Sequence, residues 1–480
     1  MFAIKKKGQS AAFGFCILLG AITLDASRAQ AETLADALVS AYNHSGLLEQ
    51  NRAVLRAADE DVAAANSALL PVLRWSGSFT QTYGRTTTVS TSFFGTNASQ
   101  NRVDRVTATL SLIGELLLYD WGATQLRVEA SKETVLATRN TLIDIEQQVL
   151  LRAVQAYLSV IQSNELVALR NNNLRLLTQE LRAARDRFEV GEVTRTDVAL
   201  AEAQLANARS GLAAAQGDLL RAQEEFRNAV GRKPGRLTPP PRLPNVGNDL
   251  EGDKALAVRT HPLIRAAQHQ VATADLLVQA AEASMNPRVT LNGTISLQET
   301  FRGPEDSRVG SIGIDVGQTI YQGGALSSAK RRAMAQRDAQ RANLHVVQHN
   351  LQQGVGNAYA GLLSARAQLE ASDRQIRAAR IAFRGVREEA TLGARTTLDV
   401  LDAEQALLDA QTTAVVARAQ LYLAAYQVLA ATGRLTARDL KLPVQIYDPE
   451  AYYNLVKDSP AANTVQGRKL DRVLRALGKD

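Results

Sequence analysis

The chain has 480 residues, a formal charge of +7, only 5% aromatic residues and one cysteine. That length admits two or three ordinary domains, but long stretches dominated by Ala, Leu, Gln, Glu and Arg point to extended helices rather than compact globules. Lys5, Lys6, Lys7, Arg28 and Asp25 account for +3 of the charge, so a chain beginning near Glu32 carries about +4, too weak a bias to argue for a nucleic-acid partner.

Basic Lys5 to Lys7, the mostly apolar stretch Ala11 to Leu24 and the small-x-small site Ala29-Gln30-Ala31 read as a secretory signal peptide, residues 1–31. The apolar stretch falls short of the about 20 residues that a membrane-spanning helix needs, which argues against an uncleaved anchor. Cys16 lies inside it, too far from the cleavage site for lipid attachment, so the mature chain has no thiol for a disulfide. Downstream, no run approaches 18 consecutive apolar residues, so any membrane span is built from strands.

A first helix is expected from about Ala41 to Leu70. The period then changes to two: Leu73, Trp75, Phe79 and Tyr83 alternate with Arg74, Ser76, Ser78 and Thr80, and Val106, Ala108, Leu110 and Leu112 repeat the pattern. Strands of about 10 residues, apolar on one face and polar on the other, suit a membrane barrel, although an ordinary half-buried hairpin gives the same alternation. A proline-free helix of 67 residues, Gly122 to Phe188, is about 100 Å long at 1.5 Å per residue. Gly191 provides a left-handed helix end, Thr194 an N-cap and Asp197 its third-position acid, opening a return helix to Gly231. A connector with Pro234, Pro239-Pro240-Pro241 and Pro244 occupies residues 233–256.

The same series then recurs. Ala257 to Asn286 reads as a helix, Arg288 to Leu297 and Ser311 to Ile320 as strands, Ala325 to Ala390 as a long helix and Thr396 to Gly433 as its return. Tyr119, Gly122, Ala156-Tyr157, Gly191, Thr194, Asp197, Glu202 and Gly231 match Tyr321, Gly324, Ala358-Tyr359, Gly393, Thr396, Asp399, Glu404 and Gly433, every pair 202 apart. Upstream, Leu47 and Pro71 match Leu263 and Pro287 at 216, so the first copy carries 14 extra residues between Pro71 and Tyr119, expected as an exposed loop. The repeats are thus residues 32–232 and 257–434, with a C-terminal segment 435–480 wrapping the shaft as the connector does, and Gly467 to Asp480 either a short helix or a loose tail. The upstream and return helices, about 45 Å and about 57 Å, together match the long helix, which pairs each long helix with a composite one. Four strands cannot close a barrel and open edges are not tolerated in lipid, so an oligomer is required, two copies giving eight strands and three giving 12.

These residues resemble the TolC family of outer-membrane factors. The resemblance covers nearly the whole mature chain. It rests on the duplication, on the tip motifs Phe188-Glu-Val-Gly191-Glu-Val-Thr194-Arg-Thr-Asp197 and Leu392-Gly393-Ala-Arg395-Thr396-Thr-Leu-Asp399-Val-Leu-Asp402, and on the junctions Tyr119-Asp-Trp-Gly122 and Tyr321-Gln-Gly-Gly324. It implies an α+β membrane channel in the bacterial outer membrane, extending into the periplasm. The family assembly is a homotrimer with a 12-stranded barrel set in outer-membrane lipid and a tunnel of long antiparallel helices. It docks to a periplasmic adaptor and an inner-membrane pump of RND or ABC type, for drug efflux or type I secretion.

Asp399 and Asp402 share a helix face, and in a trimer they become two stacked carboxylate rings at the periplasmic gate. Capping of the helix N-terminus is a second, equally good reading for Asp399 and Asp197. It does not explain Asp402, whose counterpart is Leu200. By resemblance, Arg395 ties one hairpin to its neighbour's Asp197 and Thr196 as a breakable lock, whereas the plain reading is a solvated charge. The family often has a tyrosine where this chain has Ala390, which removes one closing bond. Val190, Gly191, Glu192, Leu392 and Gly393 stand at the tips where an adaptor docks, and both glycines are also turn residues. His345 and His349 are one helical turn apart without a zincin glutamate between them, and no phosphate loop or Ser-His-Asp set is present, so neither metal, cofactor nor enzymatic activity is expected. The competing readings are a secreted coiled-coil scaffold or adhesin, which the amphipathic strands oppose, and an exported helical hydrolase, which lacks a nucleophile-base pair.

Overall fold

A computed structural model describes residues 32–240, 242–247, 249–301, 306–458 and 464–476, and the signal peptide reading therefore lies outside the described residues. Two helices, α1 (Leu34–His44) and α2 (Gly46–Ser67), lead into β1 (Val72–Ser92) and β2 (Gly95–Tyr119). Long α3 (Ala123–Glu189) and its return α4 (Arg195–Val230) complete the first repeat. The second repeat is α5 (Leu250–Thr260), α6 (Pro262–Ala283), β3 (Arg288–Thr300), β4 (Ser307–Gly317), α7 (Ala325–Thr391) and α8 (Thr397–Ala431), followed by α9 (Pro449–Val456) and α10 (Val465–Ala476). The C-terminal alternative resolves as a helix over Gly467 to Ala476, and residues 477–480 lie outside the described residues.

The expected upstream helices are broken in two, at matching positions. Ser45 caps α2 by accepting from the Leu48 N–H at 3.2 Å, and His261, 216 residues on, caps α6 through Nδ1 with Pro262 as the first helical residue. A side chain that satisfies a helix N-terminus fixes its own backbone in an extended conformation, and that ends the preceding helix. The composite helices are as expected. The end of α4 abuts the joint between α1 and α2, since a Cβ on Gly231 would sit 2.3 Å from the ring of His44, the last residue of α1, and Gly433 at the end of α8 lies against His261 and Pro262.

Helices α2 and α4 lie along one side of α3, α6 and α8 along its other side, and α7 beyond them. The main core lies midway along α3, where Leu150, Val154, Tyr157 and Val160 meet α1, the end of α4, Leu429 and Leu435. The repeated Ala-Tyr pairs acquire a purpose there. The Tyr157 hydroxyl sits 2.6 Å from the Thr238 carbonyl and the Tyr359 hydroxyl 2.8 Å from that of Gly247, so both long helices hold the proline-rich connector. The C-terminal segment is held in the same zone by the Ala437 N–H donating to Glu146 at 2.6 Å.

Among the described residues α8 alone is long and apolar enough to cross a bilayer by length and composition. Its apolar residues are committed instead to helix packing: Leu421, Ala425 and Val428 pack on Leu362 and Ala365 of α7, and Leu401 on Leu177 and Leu181 of α3.

The sheet runs β1-β2-β3-β4, antiparallel throughout, with β2–β3 joining the two repeats. Register places Leu73, Gly114, Gly293 and Ile312 in one row, Trp75, Leu112, Ile295 and Gly310 in the next, all on one face. The opposite face carries Ser76, Ser111 and Ser296, with the last two hydroxyls 3.1 Å apart, and Arg288 beside Glu115 at 3.4 Å. The 14 extra residues are not a loop. They lengthen β1 and β2 into a paired ribbon that ends in a tight turn at Phe93-Phe94, because alternating Thr, Ser and Asn backbones can keep pairing where side-chain burial is not needed.

Candidate functional site

Both hairpin tips are built alike from their sequences. Val190 and Leu392 end the long helices, Gly191 (φ 79°) and Gly393 (φ 76°) take the left-handed turn, and the Glu192 and Ala394 N–H groups close back on Arg187 and Glu389 carbonyls at 2.9 Å each. Only glycine adopts this φ without strain. Thr194 and Thr396 then form capping boxes with Asp197 and Asp399. The Thr194 hydroxyl and amide bonds hold the Asp197 carboxyl below the usual range, and the Thr396 amide and hydroxyl do the same for Asp399, so both acids are firmly ionised.

Asp402 is exposed one turn beyond Asp399 and is not part of the cap. Val190 is 71% and Leu392 84% exposed, so each tip projects an apolar residue into solvent beside its glycine, with Glu192 exposed next to the first. Arg395 donates through Nε to Glu389 at 2.9 Å, inside its own tip. Among the described residues Arg395 makes no ion pair with Asp197 and no hydrogen bond with Thr196 of the same chain. Glu389 immediately precedes Ala390, so the hairpin lacking a tyrosine there closes on itself through an acid instead.

A polar contact that the sequence reading missed lies two turns above the tip. Glu404 is 4% exposed and accepts from the Asn173 Nδ2 at 2.9 Å, its second oxygen buried without a partner. Burial pushes its carboxyl up to about 7. Its repeat counterpart Glu202 is paired with Arg185 at 2.5 Å within the first hairpin. Arg387, the counterpart of Arg185, reaches across to Glu180 of α3 at 3.1 Å. The second hairpin has thereby exchanged an internal ion pair for two links to the first. The repeat comparison contained Glu202 and Glu404, but equal residues at equal positions carry no sign of unequal burial. His345 and His349 are both exposed, and among the described residues no group of three potential ligands is assembled.

An amphipathic antiparallel sheet joined to paired helices of about 100 Å, with capped tips at the far end, defines an outer-membrane channel subunit. The family model described as "Outer membrane efflux protein" matches residues 24–232 and 255–434, and the chain belongs to that family. It is 37% identical over 444 residues to the outer membrane efflux protein BepC of Brucella suis, covering 92% of this chain and 94% of that one. It is 24% identical to the outer membrane protein TolC of Escherichia coli, over 86% and 85% of the two chains. Among solved structures, the Campylobacter jejuni CmeC outer membrane channel superposes with a TM-score of 0.72 at 15% identity, covering 95% of this chain and 98% of that one. The Vibrio cholerae outer membrane protein VceC gives 0.68 at 20% identity, over 83% and 96%. The protein is therefore a passive outer-membrane efflux channel and not an enzyme, and the scaffold and hydrolase readings are set aside.

Proposed function

We propose that three copies assemble into the working conduit, a 12-stranded barrel above a 12-helix tunnel, and that it conducts what an inner-membrane pump delivers through a periplasmic adaptor. The observation that carries this reading is that both layers of a single chain end in open edges. The sheet leaves β1 and β4 unpaired on their outer sides. The helical layer exposes Val54 and Leu220 at one edge and Val346, Leu363 and Ile381 at the other. Sheet edges are not tolerated in lipid, and rows of apolar residues on helix edges need a partner helix, so a ring answers both needs at once.

In that ring Asp399 and Asp402 form stacked acidic rings at the periplasmic gate. Arg395 exchanges Glu389 for Asp197 and Thr196 of the adjacent hairpin to lock it, and Val190, Gly191, Glu192, Leu392 and Gly393 meet the adaptor. The segments 233–256 and 435–480 form the equatorial belt, and residues 1–31 direct export. Relatives include the proteases secretion protein PrtF of Dickeya chrysanthemi and the pyoverdine export outer membrane protein OpmQ of Pseudomonas aeruginosa, so protein secretion and export of a smaller cargo both fit this conduit; the pump we propose is of RND or ABC type.

Single-channel recording of the purified protein in planar bilayers, beside an Asp399→Ala/Asp402→Ala variant, tests the gate. Discrete cation-selective openings that become larger or less selective in the variant are expected. Identical openings in both proteins would remove the gate assignment, and a trimer that never conducts would remove the conduit.

A further inference from the structure

Twelve β1–β2 pairs, Gln81↔Val106 through Ser92↔Gly95, extend past Thr107, the last β2 residue paired to β3. The four-stranded part below already supplies the 9–11 residues per strand that a bilayer crossing needs, so the ribbon stands above the hydrocarbon. Register carries this face upward: Leu73, Trp75, Phe79, Gln81, Tyr83 and Arg85 all lie on one side of β1, apolar as far as Phe79 and mixed above it. Phe79 packs against Phe301 with ring centroids 5.9 Å apart, and Tyr83 stands exposed two pleat repeats higher. Aromatic residues at the top of an apolar band mark the boundary between hydrocarbon and headgroups.

The next pair on that face, about 7 Å beyond Tyr83, is Arg85 directly opposite Arg102. Both are exposed, and neither takes part in an ion pair among the described residues. Like charges directly opposed across two strands are destabilising, because their Cβ atoms are only about 5 Å apart. Asp104, opposite Tyr83 on the same face, is approached by the Gln81 amide at 3.4 Å, and this one acid against Arg85 and Arg102 leaves the patch net positive. Two guanidinium groups side by side match a phosphate, which accepts paired N–H bonds and cancels the repulsion.

We propose that Arg85 and Arg102 form a clamp for the phosphate of an outer-leaflet lipid headgroup, with that lipid's chains lying on the apolar face below. The inference rests on that face being the one turned to lipid. It gives the ribbon the task of anchoring the barrel rim in its leaflet.

The test is a titration of the full-length protein, in uncharged detergent, with diphosphorylated lipid A, retention being read by native mass spectrometry. Arg85→Gln/Arg102→Gln is expected to weaken retention about tenfold, and Arg85→Lys/Arg102→Lys to weaken it less, because lysine keeps the charge and loses the fork. Dephosphorylated lipid A on the unaltered protein should show the same loss, an arm that does not depend on any variant folding. Equal retention of the two lipids, or of lipid A by wild type and the glutamine variant, would overturn the clamp. Complete displacement by millimolar inorganic phosphate would show that a free anion, and not a lipid, is the occupant.

Discussion

Glu202 and Glu404 hold the same place in the two repeats and have opposite fates, and the difference sets a pH dependence. Burial pushes the Glu404 carboxyl up to about 7 when α8 is packed on α3, against 4.5 when solvated, with desolvation as the main cause, the Asn173 hydrogen bond opposing it, Glu180 adding to it and Arg387 opposing it. The packed state binds the proton more tightly. Its advantage is complete below pH 4.5 and is lost as pH rises through about 7, amounting to on the order of 3 kcal/mol. The contact between hairpins should therefore loosen between pH 5 and pH 8, seen as more frequent channel opening. Glu404→Gln should stay tight at both pH values, and a variant as pH-sensitive as wild type would discard the idea. The tip acids run the other way: the depressed Asp197 and Asp399 support their caps above the usual carboxylate range and withdraw that support as pH falls through their lowered values. The caps were legible in Thr194, Asp197, Thr396 and Asp399, since a cap is a contact over three residues. Glu404 was not legible, since its partner Asn173 is 231 residues away.

At the scale of elements, the joints of the composite helices separate two kinds of glycine. Gly191 has a left-handed φ with nothing near a Cβ, whereas Gly231 combines φ 88° with the His44 ring where a Cβ would go. Gly191→Ala should cost only the left-handed strain, about 1 kcal/mol, and Gly231→Ala distinctly more, about 2–4 kcal/mol, as α4 is pushed off the joint between α1 and α2. Denaturant titration followed by helical circular dichroism compares them, and equal losses would argue against end-to-end stacking. The long helices were readable to within a residue because 67 proline-free residues leave little choice. The breaks at Ser45 and His261 were passed over, although Ser45-Gly46 and His261-Pro262 are both helix-start signals, because the apolar pattern continues across them.

For the whole molecule, the sheet's two faces face two solvents. Ile295→Arg places a charge in the middle of the apolar band and should cost about 2–4 kcal/mol, whereas Thr294→Arg, on the polar face, should be tolerated. Yield of folded protein in outer-membrane fractions distinguishes them. If both variants assemble alike, the apolar face is not the lipid face, and the headgroup clamp fails with it.

The sequence by itself determined the duplication, the element lengths, the strand alternation and the turn chemistry of both tips, because each is written in residues close together or repeated at a fixed spacing. Only the tertiary structure decided which of two equivalent glutamates is buried, that the 14 extra residues extend a ribbon, and that Arg85 stands opposite Arg102. Those outcomes depend on strand register and on which helix face meets another. Both are set by cooperative packing between segments far apart in the chain.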